Sequence, residues 1–588
     1  MSVSLCMIVK NEERMLERCL SSVRHLADEM VIVDTGSTDN TKEIAAQFGA
    51  RVYEYEWDGC FANARNAALE QARMDWILLM DADDEFEYED TQKLLDLMEH
   101  GEGSVCFFQT LSFMGRVPDK NSLVANLNVR LIRNHMGLKF QGCIHEQIGM
   151  EHGGHKAVIS DIRVYHYGYL DGAIQEKKKR ERNISLIQKE LDKNPDDAFM
   201  LFNMGNEYFA LERVQEAFTC YRKSYEDFDP KRGYSPKLIV RLMTCNDLLG
   251  NTEEMLRLAD EGLRLYPDYT DLVFLRGTAL LRQEKYLAAI ASLETCLKMG
   301  EAPEMIRYMT GIGSYKTQLL LSTVYHQLGD GKSAMRYVRQ ALRSHPGYRE
   351  GLIHYARLLA DSGDELPVIK RRLARMTRSI PQAERMLLLS DVFYALRRYG
   401  EALAYAKKAA KLTGEALPVY DAGVCCMYLG RYAKAAAHLK RAAKDASLTD
   451  RAVYLSSLCG LLDGKTGRIT RSGVWFDVLR SFAQMVRGEA CAPLAEEESE
   501  SRVYVAPIFS LLDILLKTGN FDWFDKARGL LNLITGDNVL LLLGKLYYRN
   551  GFMRPAYKEL ERSVRLTGKT DGEALDMMKH ILSARETD

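Results

Sequence analysis

From about Pro195 the chain repeats itself every ~34 residues, and no other feature restricts its fold as much. One copy carries Leu201, Gly205, Tyr208, Ala217, Tyr221 and Ser224, with Pro230 just after. Another carries Val273, Gly277, Leu280, Ala289, Leu293 and Cys296. Apolar residues recur at helical spacing throughout. Each unit is a helix pair that cannot bury its apolar face alone, so units stack into a solenoid. Small residues fall where the two helices of a unit approach, and aromatics fill the gaps between units. Copies continue to about residue 447, as in Val419, Gly423, Ala435, Leu439 and Ala442. Residues 448–536 stay helical but lose the repeat, and contain the acidic run Glu496-Glu497-Glu498-Ser499-Glu500. Residues 537–588 bring one last copy (Leu540, Gly544, Tyr547, Ala556, Leu560, Ser563) and a capping helix.

Residues 1–170 follow a different rule. Val3–Val9, Glu29–Val33, Arg51–Tyr55 and Trp76–Met80 read as strands. Helices alternate with them, the first capped by Asn11, the others at Lys42–Gln47 and Phe61–Arg73. This alternation predicts a mostly parallel sheet with right-handed crossovers. Further strands are expected at Ser104–Leu111, Leu127–Ile132 and Ile159–Tyr165, and residues 171–194 form a linking helix.

The fourth strand, Trp76-Ile77-Leu78-Leu79-Met80, runs straight into Asp81-Ala82-Asp83-Asp84-Glu85. A buried strand that delivers carboxylates at its C-terminal end presents them to the crevice of an open α/β sheet. Asp81 and Asp83, two apart, share one face of an extended chain. Two carboxylates ~4 Å apart repel by roughly 4 kcal/mol at an effective dielectric of 20. A hard divalent cation removes that repulsion, and oxygen ligands suit Mg²⁺ or Mn²⁺. The alternative is a solvated acidic turn that caps the next helix. Asp34, at the end of the second strand, either binds ribose hydroxyls or a base edge, or bonds its own turn.

The 588 residues exceed one core and require at least two domains. A net charge of -2 gives no footprint for nucleic acid or a membrane surface. The basic run Lys177-Lys178-Lys179-Arg180 with Arg182 lacks interleaved aromatics and reads as a solvated helix face. Twelve scattered cysteines without a CxxC pair fit reduced thiols in a cytoplasmic protein. No apolar run is long enough to span a bilayer.

Four motifs stand in order: SLCMIVKNEE at 4–13, VIVDTGSTDNT at 31–41, FANARNAAL at 61–69 and WILLMDADDEF at 76–86. Together they resemble the family 2 glycosyltransferases of GT-A fold, near the bacterial peptide and protein glycosyltransferases with helical repeats. The repeats resemble tetratricopeptide repeats. The expected fold is thus an α/β GT-A domain, the nucleotide-diphospho-sugar transferase fold, followed by an all-α tetratricopeptide-type solenoid. The resemblance implies a UDP-sugar donor contacted by Asp34, with Arg65 near its phosphates. It implies a DxD motif at Asp81 and Asp83 holding Mn²⁺ or Mg²⁺, with His166 as a further metal or phosphate contact. Glu146, in the stretch Phe140–Ile148, is the candidate base for the acceptor proton, with Asp84 and Asp161 as rivals. Glu146 alternatively orients its loop, His166 alternatively only closes the pocket, and Trp57 either lines that pocket or packs in the core.

The implied activity is inverting transfer of a hexose or N-acetylhexosamine to a Ser, Thr or Cys side chain of a protein or peptide held along the repeats. Two alternatives stand beside it: a transferase that extends a cell-envelope or lipid-linked glycan, and a non-catalytic scaffold. The solenoid alternatively serves as a homodimer contact or a rigid extension. Its histidines His345, His354 and His438 occur singly and form no ligand set.

Overall fold

The computed structural model describes residues 1–113, 123–150, 154–168, 173–465, 469–536 and 538–586. Tyr169, the side chains of Lys177, Lys178 and Lys179, and those of Glu498 and Ser499 lie outside that description. The chain divides into two compact units, Met1–Ser344 and His345–Asp588.

The first unit begins with strands β1 (Val3–Val9), β2 (Glu29–Asp34), β3 (Arg51–Glu54) and β4 (Trp76–Leu79), linked through helices α1 (Leu16–Val23), α2 (Thr41–Gln47) and α3 (Phe61–Gln71). β1 lies between β2 and β4, and β3 flanks β2, all in parallel register. Alternation along β1 explains why its run is apolar apart from Ser4. Val3, Leu5, Met7 and Val9 enter the core shared with Leu16 and Leu20 of α1. Cys6 enters the opposite core with Val31, Val33, Ile77, Leu79 and Leu69 of α3. A strand covered on both faces carries no polar stripe.

Beyond β4 the sheet is mixed, so that four of its seven strand pairings are parallel and three antiparallel. Strands β5 (Asp84–Phe86), β6 (Val105–Phe113) and β7 (Leu123–Arg133), the short hairpin β8 (Phe140–Gln141) and β9 (Gln147–Ile148), and β10 (Ala157–His166) complete the set, with helix α4 (Thr91–His100) after β5. The main sheet runs β3-β2-β1-β4-β7-β6-β10-β5. β7 is antiparallel to both β4 and β6, and β10 is parallel to β6 and antiparallel to β5. The nine residues between β6 and β7 are fewer than the dozen a parallel crossover needs, so these neighbours reverse direction. The acidic run is therefore not a solvated turn: Asp84 begins an edge strand and is fully buried.

Asn11 does not cap α1, whose N-cap is Met15. Its backbone is left-handed, at φ 56°, and its side-chain oxygen accepts from the Thr38 amide at 2.8 Å. A side chain that could cap a helix instead fastens the turn after β2.

The same unit continues with α5 (Ala173–Lys193), α6 (Ala198–Ala210), α7 (Val214–Glu226), α8 (Ser235–Leu248) and further antiparallel pairs to Ser344. Asp197 caps α6 by accepting from Phe199 and Met200 amides, both at 3.0 Å. Across both units, the small residue of a pair faces the residue 16 positions on: Gly205 with Tyr221, Gly277 with Leu293, Gly423 with Leu439, Gly544 with Leu560. A Cβ on Gly205 would stand 2.5 Å from the Tyr221 ring, so the helix pair closes only over glycine. The second unit keeps this packing from Arg349–Asp361 to Gly572–Glu586, and residues 448–536 contribute helices such as Thr449–Leu462 and Val474–Arg487. Among the described residues, no helix is long and apolar enough to cross a membrane.

The helices of the first unit also hold the sheet. Lys237 of α8 donates to Asn126 of β7 at 2.8 Å, and Thr310 donates to the Leu123 carbonyl at 3.0 Å. The Thr310 segment is tied down by Asp271, which accepts from the Met309 amide at 2.7 Å. Burial pushes the Asp271 carboxyl up to about 7. The folded state then keeps a proton that the unfolded chain releases near pH 4, so stability falls as pH rises from about 4 to 7. Three pKa units correspond to about 4 kcal/mol. Asp271→Asn keeps an acceptor for Met309 without the buried charge, so its melting temperature should exceed wild type at pH 8 and match it at pH 4.

One cysteine expectation is corrected. Cys60 and Cys143 form a disulfide across 83 residues, and the other ten cysteines are free thiols.

Candidate functional site

The chain reverses its direction of travel across the sheet between β1 and β4, and crevices outside such switch points take ligands. Asp34 closes β2 and is 2 % exposed. Its Oδ1 accepts from the Gly36 and Ser37 amides at 2.9 and 2.8 Å, while its buried Oδ2 has no hydrogen-bond partner. One oxygen bonds its own turn, and the other is an acceptor that a hydroxyl or imide could use. Gly36 takes φ 104°, open to glycine alone at low cost, and turns the chain beside Lys10.

The carboxylates after β4 have three different partners. Asp81 accepts from Arg65 Nη2 of α3 at 2.8 Å and faces Arg130 Nη1 of β7 at 3.4 Å. Burial pushes its carboxyl up, but the two guanidinium groups outweigh burial and hold it well below the usual range. Asp84 is the brace beneath. Its Oδ2 meets Arg130 Nη1 at 2.7 Å and accepts from the Asp81 amide at 2.8 Å, while its Oδ1 meets His166 Nδ1 at 3.0 Å. Asp83 Oδ1 lies 3.4 Å from the same His166 nitrogen. Burial lowers the His166 pKa, and Asp83, Asp84 and Asp81 reverse that and raise it. Arg130 is 4 % exposed, and its removal leaves Asp84 with a buried charge. Arg130→Met should therefore cost about 3–5 kcal/mol in denaturant unfolding, and Arg130→Met with Asp84→Asn should recover part of it.

Ligand atoms of Asp83, Asp84 and His166 lie within 4.8 Å of one another. Their arrangement suits a metal ligand set with its support. A histidine ligand commonly gives its second ring nitrogen to a carboxylate, and here Nδ1 engages Asp84. Gly168 leaves room on the other side. A Cβ there would stand 2.2 Å from Asp83 Oδ2 and 2.7 Å from His166 Nε2. Those two atoms therefore border one small space that any larger residue would fill.

Glu146 completes the cluster. It accepts from Arg65 Nε at 2.5 Å, so one guanidinium spans Glu146 and Asp81. The structure thus brings together Arg65, Asp81, Asp83, Glu146 and His166 through a chain of contacts, with Asp34 at the end of β2, on the other side of β1. The two rival bases are placed otherwise. Asp84 is fully buried under Arg130, and Asp161 pairs with Lys93 at 2.5 Å. Asp161 precedes His166 by five residues in β10, on the order of 15 Å along a strand. Trp57 is half-buried and meets Phe61 edge-to-face at 4.8 Å. Sequence reasoning missed Gly168 and the brace formed by Asp84 and Arg130. Arg130 carried a signal, as a charged residue inside an apolar strand pattern.

The Glycosyl transferase family 2 model matches residues 4–161. A TPR repeat-containing protein of Synechococcus elongatus is 32 % identical over 212 residues, covering 34 % of this chain and 51 % of that protein. The SPbeta prophage-derived glycosyltransferase SunS of Bacillus subtilis is 28 % identical over 289 residues, covering 48 % of this chain and 67 % of SunS. The chain therefore spans about half the length of the first of these relatives and two thirds of the second. A tetratricopeptide repeat protein structure from Parabacteroides merdae aligns at 16 % identity with TM-score 0.28, over 41 % of this chain and 89 % of that one. The matched segment contains Asp34, Arg65, Asp81, Asp83 and Glu146, while His166 and Gly168 follow just beyond it. Residues 4–161 of this chain match the Glycosyl transferase family 2 model, and antiparallel helix pairs follow them.

Proposed function

We propose that this protein is a metal-dependent glycosyltransferase that moves a hexose or N-acetylhexosamine from a UDP-sugar to a Ser, Thr or Cys side chain of a protein or peptide, with inversion. The observation that carries it is the pair Asp83–His166 facing one space over Gly168. Asp83 and His166 would hold Mn²⁺ or Mg²⁺, Asp81 would contribute from its place between two guanidinium groups, and Asp84 would fix the imidazole. When bound, the ion supplies positive charge to the departing diphosphate. Asp34 Oδ2 receives a donor hydrogen from the uridine portion, and the Asp34 turn fixes its direction. Arg65 is the fork nearest the diphosphate, since a guanidinium can pair two phosphate oxygens. Glu146 takes the acceptor proton as the acceptor attacks the anomeric carbon, and Arg65 Nε holds that carboxylate in place. The relative SunS is named a glycosyltransferase, which supports the reaction class. The stacked helix pairs support a macromolecular acceptor, because such arrays present extended concave surfaces.

The test is turnover. The protein is incubated with UDP-, GDP- and dTDP-sugars, with Mn²⁺, Mg²⁺ or EDTA, and free nucleotide diphosphate is measured. The expected result is metal-dependent hydrolysis of one UDP-sugar, with transfer to a protein of the native proteome detected by intact mass. Folded protein that turns over no donor contradicts the proposal.

A further inference from the structure

The loop from Gly142 to Glu146 is held from two sides. On the sheet side, Cys143 is disulfide-bonded to Cys60 at the start of α3, and its carbonyl accepts from the Phe61 amide at 2.9 Å. On the other side, Ile144 is 3 % exposed in a cluster with Ile187 and Leu191 of α5 and Met200, Leu201 and Met204 of α6. Those helices lie outside the segment that the family model matches. His145 follows with φ 51°, a left-handed conformation that costs a non-glycine residue ~1–2 kcal/mol. Such a residue persists only where its surroundings impose it.

Glu207 of α6 is 2 % exposed and accepts from two residues of α5: Arg180 Nη1 at 3.0 Å and Asn183 Nδ2 at 2.9 Å. It ties α5 to α6 beside the socket that receives Ile144. Glu146 stands two residues beyond Ile144, a reach of at most ~7 Å. Movement of the socket is therefore passed to the carboxylate and, through Arg65, to Asp81.

We infer that the linking helix α5 and the first repeat helix α6 are part of the catalytic centre, with Glu207 and Ile144 as positioning residues for Glu146. This rests on Glu146 being the base in the function proposed above. The disulfide and the Ile144 socket grip the loop from opposite sides, so neither alone sets its position. A misplacement near 1 Å at a reacting group costs about 100-fold in rate, which sets the scale of the effect.

The experiment uses the full chain as wild type, Glu207→Gln, Ile144→Ala and Ile144→Leu. It measures transfer kcat, donor KM, UDP affinity with Mn²⁺, and melting temperature. Glu207→Gln and Ile144→Ala are expected to lower kcat about 10- to 100-fold, with donor KM and UDP affinity unchanged within about twofold, and Ile144→Leu to restore most of the rate. A role confined to stability would lower the melting temperature without that split between kcat and KM, and would overturn the inference. An inactive wild type contradicts the proposed function itself. An active wild type whose Glu207→Gln variant keeps its kcat overturns the positioning role alone.

Discussion

Glu146→Gln should slow glycosyl transfer by about 10²- to 10⁴-fold, the range a positioned general base contributes. Glutamine keeps the size of the side chain and can still accept from Arg65 Nε through its amide oxygen, so the loop stays closed and UDP binding is retained. What is lost is the capacity to take a proton from the acceptor. Steady-state kcat at saturating donor and acceptor measures this directly. If Glu146 only orients its loop, the glutamine variant keeps its kcat and shows at most a raised acceptor KM. The rivals make a useful control. Asp161→Asn should leave kcat unchanged, because Asp161 is a surface partner of Lys93 in the middle of β10, five residues before His166. Asp84→Asn is not a clean control, because Asp84 is bonded to Arg130, His166 and the Asp81 amide.

Gly168→Ala should abolish metal-dependent donor turnover, by at least about 100-fold, without unfolding the protein. The Gly168 backbone is not in the left-handed region, so alanine is conformationally allowed there. Its methyl group would nevertheless stand 2.2 Å from Asp83 Oδ2 and 2.7 Å from His166 Nε2. Real contacts are never that short, so either the methyl occupies the space between the two side chains or the side chains are displaced. Neither outcome leaves two ligand atoms converging on one point. The measurements are Mn²⁺ affinity by calorimetry and the far-ultraviolet circular dichroism melt. A variant that loses the metal but keeps its melt supports the site. One that keeps full metal affinity removes Gly168 from it.

The sequence made some of this site legible and hid the rest for physical reasons. Asp34, Asp81 and Asp83 could be read because strand ends in an α/β alternation project toward one edge, and strand periodicity is local. Asp84 and Glu85 looked like a continuation of a solvated acidic turn. Local composition cannot distinguish that from a buried edge strand whose partner, β10, lies some 80 residues away. Arg130 neutralises Asp84 only across a sheet contact with no sequence spacing of its own. Gly168 is one glycine among 42, and its meaning appears only when a missing Cβ is set against Asp83. The pairing of Cys60 with Cys143 had no motif to announce it, since a disulfide across 83 residues depends on tertiary proximity. The repeats were legible in outline because Gly205 and Tyr221, or Gly423 and Leu439, recur at a fixed interval. The grip of α5 and α6 on the loop at Ile144 was not, because it joins a strand-helix region to a helical one.

That grip changes the physical description of the solenoid's beginning. A repeat array attached by a tether would leave the loop that carries Glu146 to the sheet alone. Here Ile144 is a core residue of the helix pair, and Lys237 and Thr310 bond the first half of β7. The α/β domain and the helices that follow it share side-chain contacts within one compact unit.

The most direct test of the central claim is a calorimetric titration of UDP into the full chain with Mn²⁺, repeated with EDTA and with Asp83→Ala. The account predicts saturable binding with Mn²⁺ that is lost, or weakened at least tenfold, in EDTA and in Asp83→Ala. Binding of equal strength in all three, or no binding by folded wild-type protein, would contradict a metal–diphosphate site at Asp83 and His166.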